Sequence, residues 1–328
     1  MIIVTGGAGF IGSYLVRELE ARGAHDIVVC DQLGEDDKWK NIARRELRDI
    51  LPPDDLPAYL NDNAGDIETI FHMGAVSATT ERDADLIVRS NIRLSLDLWD
   101  WCAVHDTKLI YASSAATYGD GAQGFEGDDS IDGLAKLRPM NAYGWSKHAF
   151  DRRIARIVSE NGPRPPHWAG LKFFNVYGPN EYHKGGMISV ALKNYREISD
   201  TGKAVLFRSH NPAYPDGGQK RDFVWVGDCV NIALWLADNP STQGIFNVGT
   251  GEARTFEDLA RSVFTAMGRE PDIDFVDTPE AIRDRYQYFT QADMSRLRAA
   301  GYDRPATTLE DGVSTYVRDF LMADDPYA

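Results

Sequence analysis

Within Tyr143-Gly-Trp-Ser-Lys147 a phenol and an ammonium stand four residues apart, a spacing that places both on one face of a helix. Such a pair does acid–base chemistry when the cation helps the phenol to ionise. An unperturbed tyrosine has a pKa of about 10, so service as a base near pH 7 asks for roughly 4 kcal/mol of help. A neighbouring cation lowers a pKa by about 1–3, and a cationic redox ring beside the phenol supplies much of the rest. Ser113-Ser114 closes an apolar run of strand type, and the Ser114 hydroxyl is suited to hydrogen-bond the substrate oxygen whose proton moves. Taken singly, these residues are ordinary. Their order along the chain makes them a candidate catalytic set.

The elements that must position them begin at the first residue. Met1-Ile-Ile-Val-Thr runs into glycines spaced G-x-x-G-x-x-G (Gly6, Gly9, Gly12), and an amphipathic helix is expected over 10–22. The first glycine turns the strand, the second lets backbone N–H groups approach a pyrophosphate, and the third lets helix and strand pack closely. A second strand, Asp26-Ile-Val-Val-Cys-Asp31, ends in an acid, as a dinucleotide site requires. Further strands are expected at Glu68-Thr-Ile-Phe-His-Met-Gly-Ala75, Lys108-Leu-Ile-Tyr-Ala-Ser113 and 168–175, with helices over 82–105 and 142–160. Their continuous hydrophobicity predicts a sheet covered on both faces. The fold class is therefore α/β, a doubly wound parallel Rossmann sheet with a smaller mixed α/β lobe. Residues 1–178 with 220–250 are assigned to the dinucleotide domain, and 179–219 with 251–328 to a substrate lobe. The segment Arg221-Asp-Phe-Val-Trp-Val-Gly-Asp228 reads as the return to the main sheet.

A formal charge of −15 over 328 residues disfavours nucleic acid and anionic membranes as partners, so an anionic ligand must meet local donors. Cys30, Cys102 and Cys229 are scattered without metal-like spacing, which fits buried thiols in a reducing, cytoplasmic setting. The histidines His72, His105, His167, His183 and His210 also lack ligand spacing, and no metal is expected. No run approaches the roughly 20 apolar residues that span a bilayer.

On Thr5-Gly-Gly-Ala-Gly-Phe-Ile-Gly12, Ser113-Ser114, Tyr118-Gly119, Tyr143/Lys147 and Arg221-Asp-Phe-Val224 the chain resembles the extended short-chain dehydrogenase/reductase superfamily. Within it, the chain is similar to the ADP-glycero-manno-heptose 6-epimerase family. That likeness is carried by Tyr111-Ala-Ser-Ser-Ala-Ala-Thr-Tyr-Gly119, Phe174-Asn-Val-Tyr-Gly-Pro179, His183-Lys184-Gly185, Phe289-Thr-Gln-Ala-Asp293 and Leu297-Arg-Ala-Ala-Gly-Tyr302. The resemblance implies a catalytic set of Ser114, Tyr143 and Lys147, with Lys184 as a second acid/base on the opposite side of the sugar. For the cofactor it implies Phe10, Ile11, Asp31, Gln32, Met73, Gly74, Ala75, Ser77, Asn91 and Val176, with Lys38 on a 2′-phosphate. NADP is the expected cofactor, NAD the alternative towards which Asp31 pulls. Asn175, Lys193, Phe207, Arg221 and Tyr286 fall where the family contacts nucleotide-sugar, Arg221 on the diphosphate. A homo-oligomer, pentamers included, is also implied.

Carbon 6 of such a heptose has no adjacent carbonyl, so its hydrogen is not acidic. The implied reaction is transient oxidation to a ketone and re-reduction from the other face. Two alternatives stay open: another nucleotide-sugar epimerase of the UDP-hexose 4-epimerase type, and a catalytically silent cofactor-binding protein. A dehydratase fits poorly, because Ala115-Ala116 stands where related dehydratases carry an acidic pair. The chain also departs from the resembled pattern. Leu51-Pro-Pro-Asp-Asp55 lacks a second phosphate-binding lysine, for which Lys40, Arg44 or Arg45 would substitute. Gly186 replaces a serine, Lys193 replaces a histidine, and residues 210–218 form an insertion without a counterpart.

Overall fold

Seven strands form one sheet in the computed structural model, which describes residues 1–283 and 286–328. They are β1 (Ile2–Thr5), β2 (Ile27–Cys30), β3 (Asp49–Leu51), β4 (Thr69–His72), β5 (Lys108–Ser114), β6 (Trp168–Phe173) and β7 (Gly244–Val248). Their order is β7-β6-β5-β4-β1-β2-β3, and every neighbouring pair is parallel. Parallel neighbours require crossovers. The longer helices are α1 (Phe10–Ala21), α2 (Leu94–Val104), α3 (Ala142–Ser159), α4 (Val190–Thr201), α5 (Val226–Asp238) and α6 (Phe256–Ala266). Every residue of β2, β4, β6 and β7 is buried, as a sheet covered on both faces demands.

The register brings Thr5 beside Cys30 and His72, and Ser114 beside Phe173, so the carboxyl ends of these strands share one edge. Strand order reverses between β1 and β4, the switch point where doubly wound sheets bind ligands.

One expectation is corrected. The return to the sheet is β7, not Arg221–Asp228. Phe223–Trp225 pairs with Asn175–Tyr177 in a separate two-stranded ribbon, and the chain traverses α5 before it can lie parallel to β6. The expected 82–105 helix runs without a break over 84–104, widened at Val88–Arg93 between Ala84–Ile87 and α2. The widening coincides with Asn91, whose side chain bonds both the N–H and the carbonyl of Val76.

Outside the sheet, Ala204–Phe207 pairs in parallel with Ile273–Val276, and Lys220–Arg221 pairs antiparallel with Arg254–Thr255. Thr255 and Asp258 close a capping box at the start of α6. The three cysteines are buried as free thiols. Among the described residues no helix is long and apolar enough to cross a membrane.

Candidate active site

At the end of β1 the chain turns through Gly6 at φ +66°, backbone that disfavours a side chain. A Cβ there would lie 2.6 Å from the Gly74 backbone, and one on Gly12 would lie 2.1 Å from the Gly6 carbonyl oxygen. The loop after β1 and the loop after β4 therefore touch across the switch point. Gly9 caps α1 with extended backbone and no side-chain acceptor, which leaves the first-turn N–H groups for an anion. These residues fit a dinucleotide pyrophosphate. Phe10 is buried, Ile11, Met73, Gly74, Ala75 and Val176 are half-buried, and Gln32 and Ser77 are exposed. Asn91 is buried, and its amide bonds Val76 and Ser146, which braces the 74–77 wall.

Asp31 accepts from the Ala8 N–H at 2.9 Å and from the Lys38 ammonium at 2.6 Å. Lys38 also donates to the Gln32 carbonyl at 2.8 Å. The substitutes for a second phosphate-binding lysine are committed elsewhere. Lys40 pairs with Asp37 at 2.9 Å, Arg45 with Glu20 at 2.8 Å, and Arg44 with Asp325.

Asn141 caps α3 by accepting from the Gly144 N–H at 2.8 Å. A Cβ on Gly144 would sit 2.7 Å from the Ala116 carbonyl, so only glycine lets α3 approach the turn after β5 this closely. That approach brings the Tyr143 phenol near the Ser114 hydroxyl. Burial raises the phenol's pKa, the Ser114 hydroxyl opposes this, and the Asp151 carboxylate adds to it. The expected lowering by Lys147 is absent. Lys147 is itself buried and lies close enough to His72 for charge coupling. Its Nζ makes no hydrogen bond or ion pair with the described residues, which leaves three donors for a ligand.

Lys184 lies across the glycine loop from this set, its Nζ 5.2 Å from the centre of the Phe10 ring. Burial lowers its pKa and Glu181 partly restores it. The Asn41 amide donates to the Ala8 carbonyl at 2.8 Å and the Asn180 carbonyl at 3.1 Å, and lies 3.2 Å from the His183 Nδ1. One buried amide thus stitches the Lys184 segment to the glycine loop. Arg221 is 8% exposed and bonds only the carbonyls of Lys220 and Gln287, between the rings of Phe256 (5.4 Å) and Tyr286 (5.5 Å). No carboxylate of the described residues pairs with this buried cation. Lys193 stands 5.9 Å from the Phe207 ring, while Asn175 is exposed beside Asp222.

Residues 2–249 match the NAD dependent epimerase/dehydratase family. The chain is 50% identical over its full length to a full-length ADP-L-glycero-D-manno-heptose-6-epimerase of Nitratidesulfovibrio vulgaris (strain DP4). It belongs to the ADP-L-glycero-D-manno-heptose-6-epimerase family. Among solved structures it resembles the Helicobacter pylori ADP-L-glycero-D-manno-heptose-6-epimerase (TM-score 0.78, 26% identity, 97% of this chain and 95% of that one). It also resembles a Thermus thermophilus UDP-glucose 4-epimerase in complex with NAD (TM-score 0.76, 26% identity, 98% and 99%).

In this epimerase-family chain, sequence reasoning missed the support beneath the catalytic set. Asp151 follows Lys147 by four residues on the same helical face and is fully buried. It accepts from Lys172 at 2.8 Å, Ser113 at 2.7 Å and Tyr111 at 3.2 Å, and Lys172 also donates to Thr117 at 2.6 Å. The pair locks α3 against β5 and β6 one residue from Ser114. Removing one partner of such a buried pair costs about 3–5 kcal/mol, because the other charge is stranded. The signal was present: a lysine inside the apolar run of β6, and an acid extending the Tyr143–Lys147 face.

Burial pushes Lys147 down to about 8 from its ordinary 10.5, with Asp151 opposing the shift. Below pH 8 folded and unfolded chains both hold this proton, and the full cost of burying the ammonium falls on the fold. Between 8 and 10.5 the unfolded chain binds more protons, so stability rises with pH until the cost vanishes. Lys147→Met is therefore expected to stabilise the cofactor-stripped protein at pH 7 by up to about 3 kcal/mol, and by little at pH 10.5. Denaturant unfolding at the two pH values measures this; an equal effect at both would contradict it.

Proposed function

We propose that this protein inverts carbon 6 of ADP-glycero-manno-heptose, with NADP as its resident cofactor. The observation that carries the reading is the meeting of Ser114, Tyr143 and the unpartnered Lys147 at the end of β5, beside the glycine cradle. The choice of heptose over hexose is supported by the full-length relative at 50% identity, against 26% for the UDP-glucose 4-epimerase.

A nicotinamide dinucleotide, when bound, supplies reversible oxidation of a carbinol carbon, which makes an unactivated stereocentre invertible. The chain's own residues do the rest. The first-turn N–H groups of α1 hold the pyrophosphate, and Lys147 has three free donors for ribose hydroxyls. Ser114 orients the substrate hydroxyl, and the Tyr143 phenol oxygen takes or returns its proton. Arg221 meets the substrate diphosphate with its guanidinium. Lys184 handles the proton when the oxygen points the other way. For the cofactor, Lys38 neutralises Asp31 at 2.6 Å and so removes the repulsion that this acid would exert on a 2′-phosphate.

The test is to incubate the purified protein with one C6 epimer of ADP-heptose, adding no cofactor, and to follow the other by NMR. Mass spectrometry then identifies the nucleotide released on denaturation. Conversion with released NADP is expected. Inert ADP-heptose together with turnover of a UDP-hexose would sink the substrate assignment, and release of NAD alone would sink the cofactor assignment.

A further inference from the structure

Between the strand Ala204–Phe207 and Arg221 lies the insertion, and it is a preformed loop. The Ser209 N–H donates to Asp216 at 2.8 Å, and the Gly217 N–H to the Phe207 carbonyl at 3.2 Å, so the loop closes back on its own start. Inside it, Asn211 accepts from the N–H groups of Ala213 and Tyr214, both at 3.0 Å. Pro212 and Pro215 flank this turn and further restrict it. The loop therefore holds Tyr214 in place before any ligand arrives.

Tyr214 ends a continuous row of rings. Its centroid is 5.2 Å from that of Tyr288, Tyr288 is 5.4 Å from Tyr286, and Tyr286 is 6.2 Å from Phe207. The loop also holds the row from outside, since the His210 N–H donates to the Tyr288 hydroxyl at 3.0 Å. All four rings are half-buried. The Tyr214 hydroxyl has no hydrogen-bond partner among the described residues. Two cations stand along the row: Arg221 over Tyr286, and Lys193 over Phe207. The Tyr214 phenol lies close enough to Arg221 for their charges to interact. A buried cation that no carboxylate of the described residues pairs with, bordered by a wall of partly exposed rings, is complementary to a phosphate attached to a flat base.

We propose that residues 209–218 close the nucleotide end of the substrate site, and that Tyr214 is a specificity residue, the outermost ring of a wall on which a purine base stacks. This rests on the nucleotide-sugar reading above and deepens it. A bicyclic purine covers more of such a wall than a pyrimidine does, so Tyr214 favours ADP over UDP.

The test uses the protein as purified, with ADP, UDP and inorganic pyrophosphate as titrants in calorimetry. Stacking on one aromatic ring is worth about 1–3 kcal/mol per base. Tyr214→Ala and Tyr214→Leu should therefore weaken ADP roughly tenfold and narrow the ADP/UDP ratio. Pyrophosphate binding should be unchanged, and Tyr214→Phe should behave as the parent. If both variants bind ADP like the parent while Arg221→Met abolishes it, the loop has no part in recognition and the nucleotide reading stands. If the parent binds neither ADP nor UDP, the reading of the site falls, and this inference with it.

Discussion

Replacing Tyr143 by phenylalanine should leave the fold and the bound dinucleotide in place while lowering epimerisation by ~10²–10⁴-fold, the usual weight of a positioned acid–base group. The substitution keeps the ring and removes one hydroxyl, which lies near Ser114. Stability should change little, because burial raises the phenol's pKa and keeps it neutral at pH 7 in folded and unfolded chains alike. A second consequence follows from the same geometry. Burial holds the phenol above its ordinary value, so its ionisation draws on charge that the bound ligand brings. The acidic limb of the pH–rate profile, where a base is lost to protonation, should accordingly belong to the ternary complex and disappear in Tyr143→Phe. Turnover within about threefold of the parent would remove Tyr143 from the chemistry.

The parts of the site carried by short-range patterns were legible in the sequence. The spacing of Gly6, Gly9 and Gly12 fixed a strand–turn–helix unit because each glycine answers a local steric demand, two of them visible as a 2.6 Å and a 2.1 Å approach. Tyr143 and Lys147 announced themselves because a helix repeats every 3.6 residues. The features that escaped are those that only packing creates. Lys172 looks like an interruption in a buried strand until α3 delivers Asp151 against it at 2.8 Å. Phe223–Trp225 has strand composition, but composition does not say which sheet it joins, and its partner is Asn175–Tyr177. Nothing in the sequence shows that the Asn91 amide bonds Val76 across the 74–77 wall. The insertion read as an irregular stretch because its order comes from side chain to backbone bonds, such as Asp216 to Ser209, which leave no period.

Lys184→Met should lower epimerisation by a similar ~10²–10⁴-fold if two acid–base groups serve the reaction. The argument is one of direction. Inversion turns the carbon's oxygen from one side of the site to the other, and a single phenol fixed by Ser114 and the start of α3 cannot meet it in both positions. Lys184 is the cation proposed for the second position, its Nζ 5.2 Å from the Phe10 ring and its segment tied to the glycine loop through Asn41. Burial lowers its pKa, which eases the loss of a proton that an ordinary surface lysine would keep. Methionine has similar length and packs on Phe10, so the His183–Gly185 segment should hold its place and the melting temperature should stay near the parent's. Tyr143→Phe and Lys184→Met should also combine non-additively, since either loss alone stalls the cycle. If Lys184→Met turns over like the parent, the oxygen never leaves the reach of Tyr143, and that phenol carries both half-reactions.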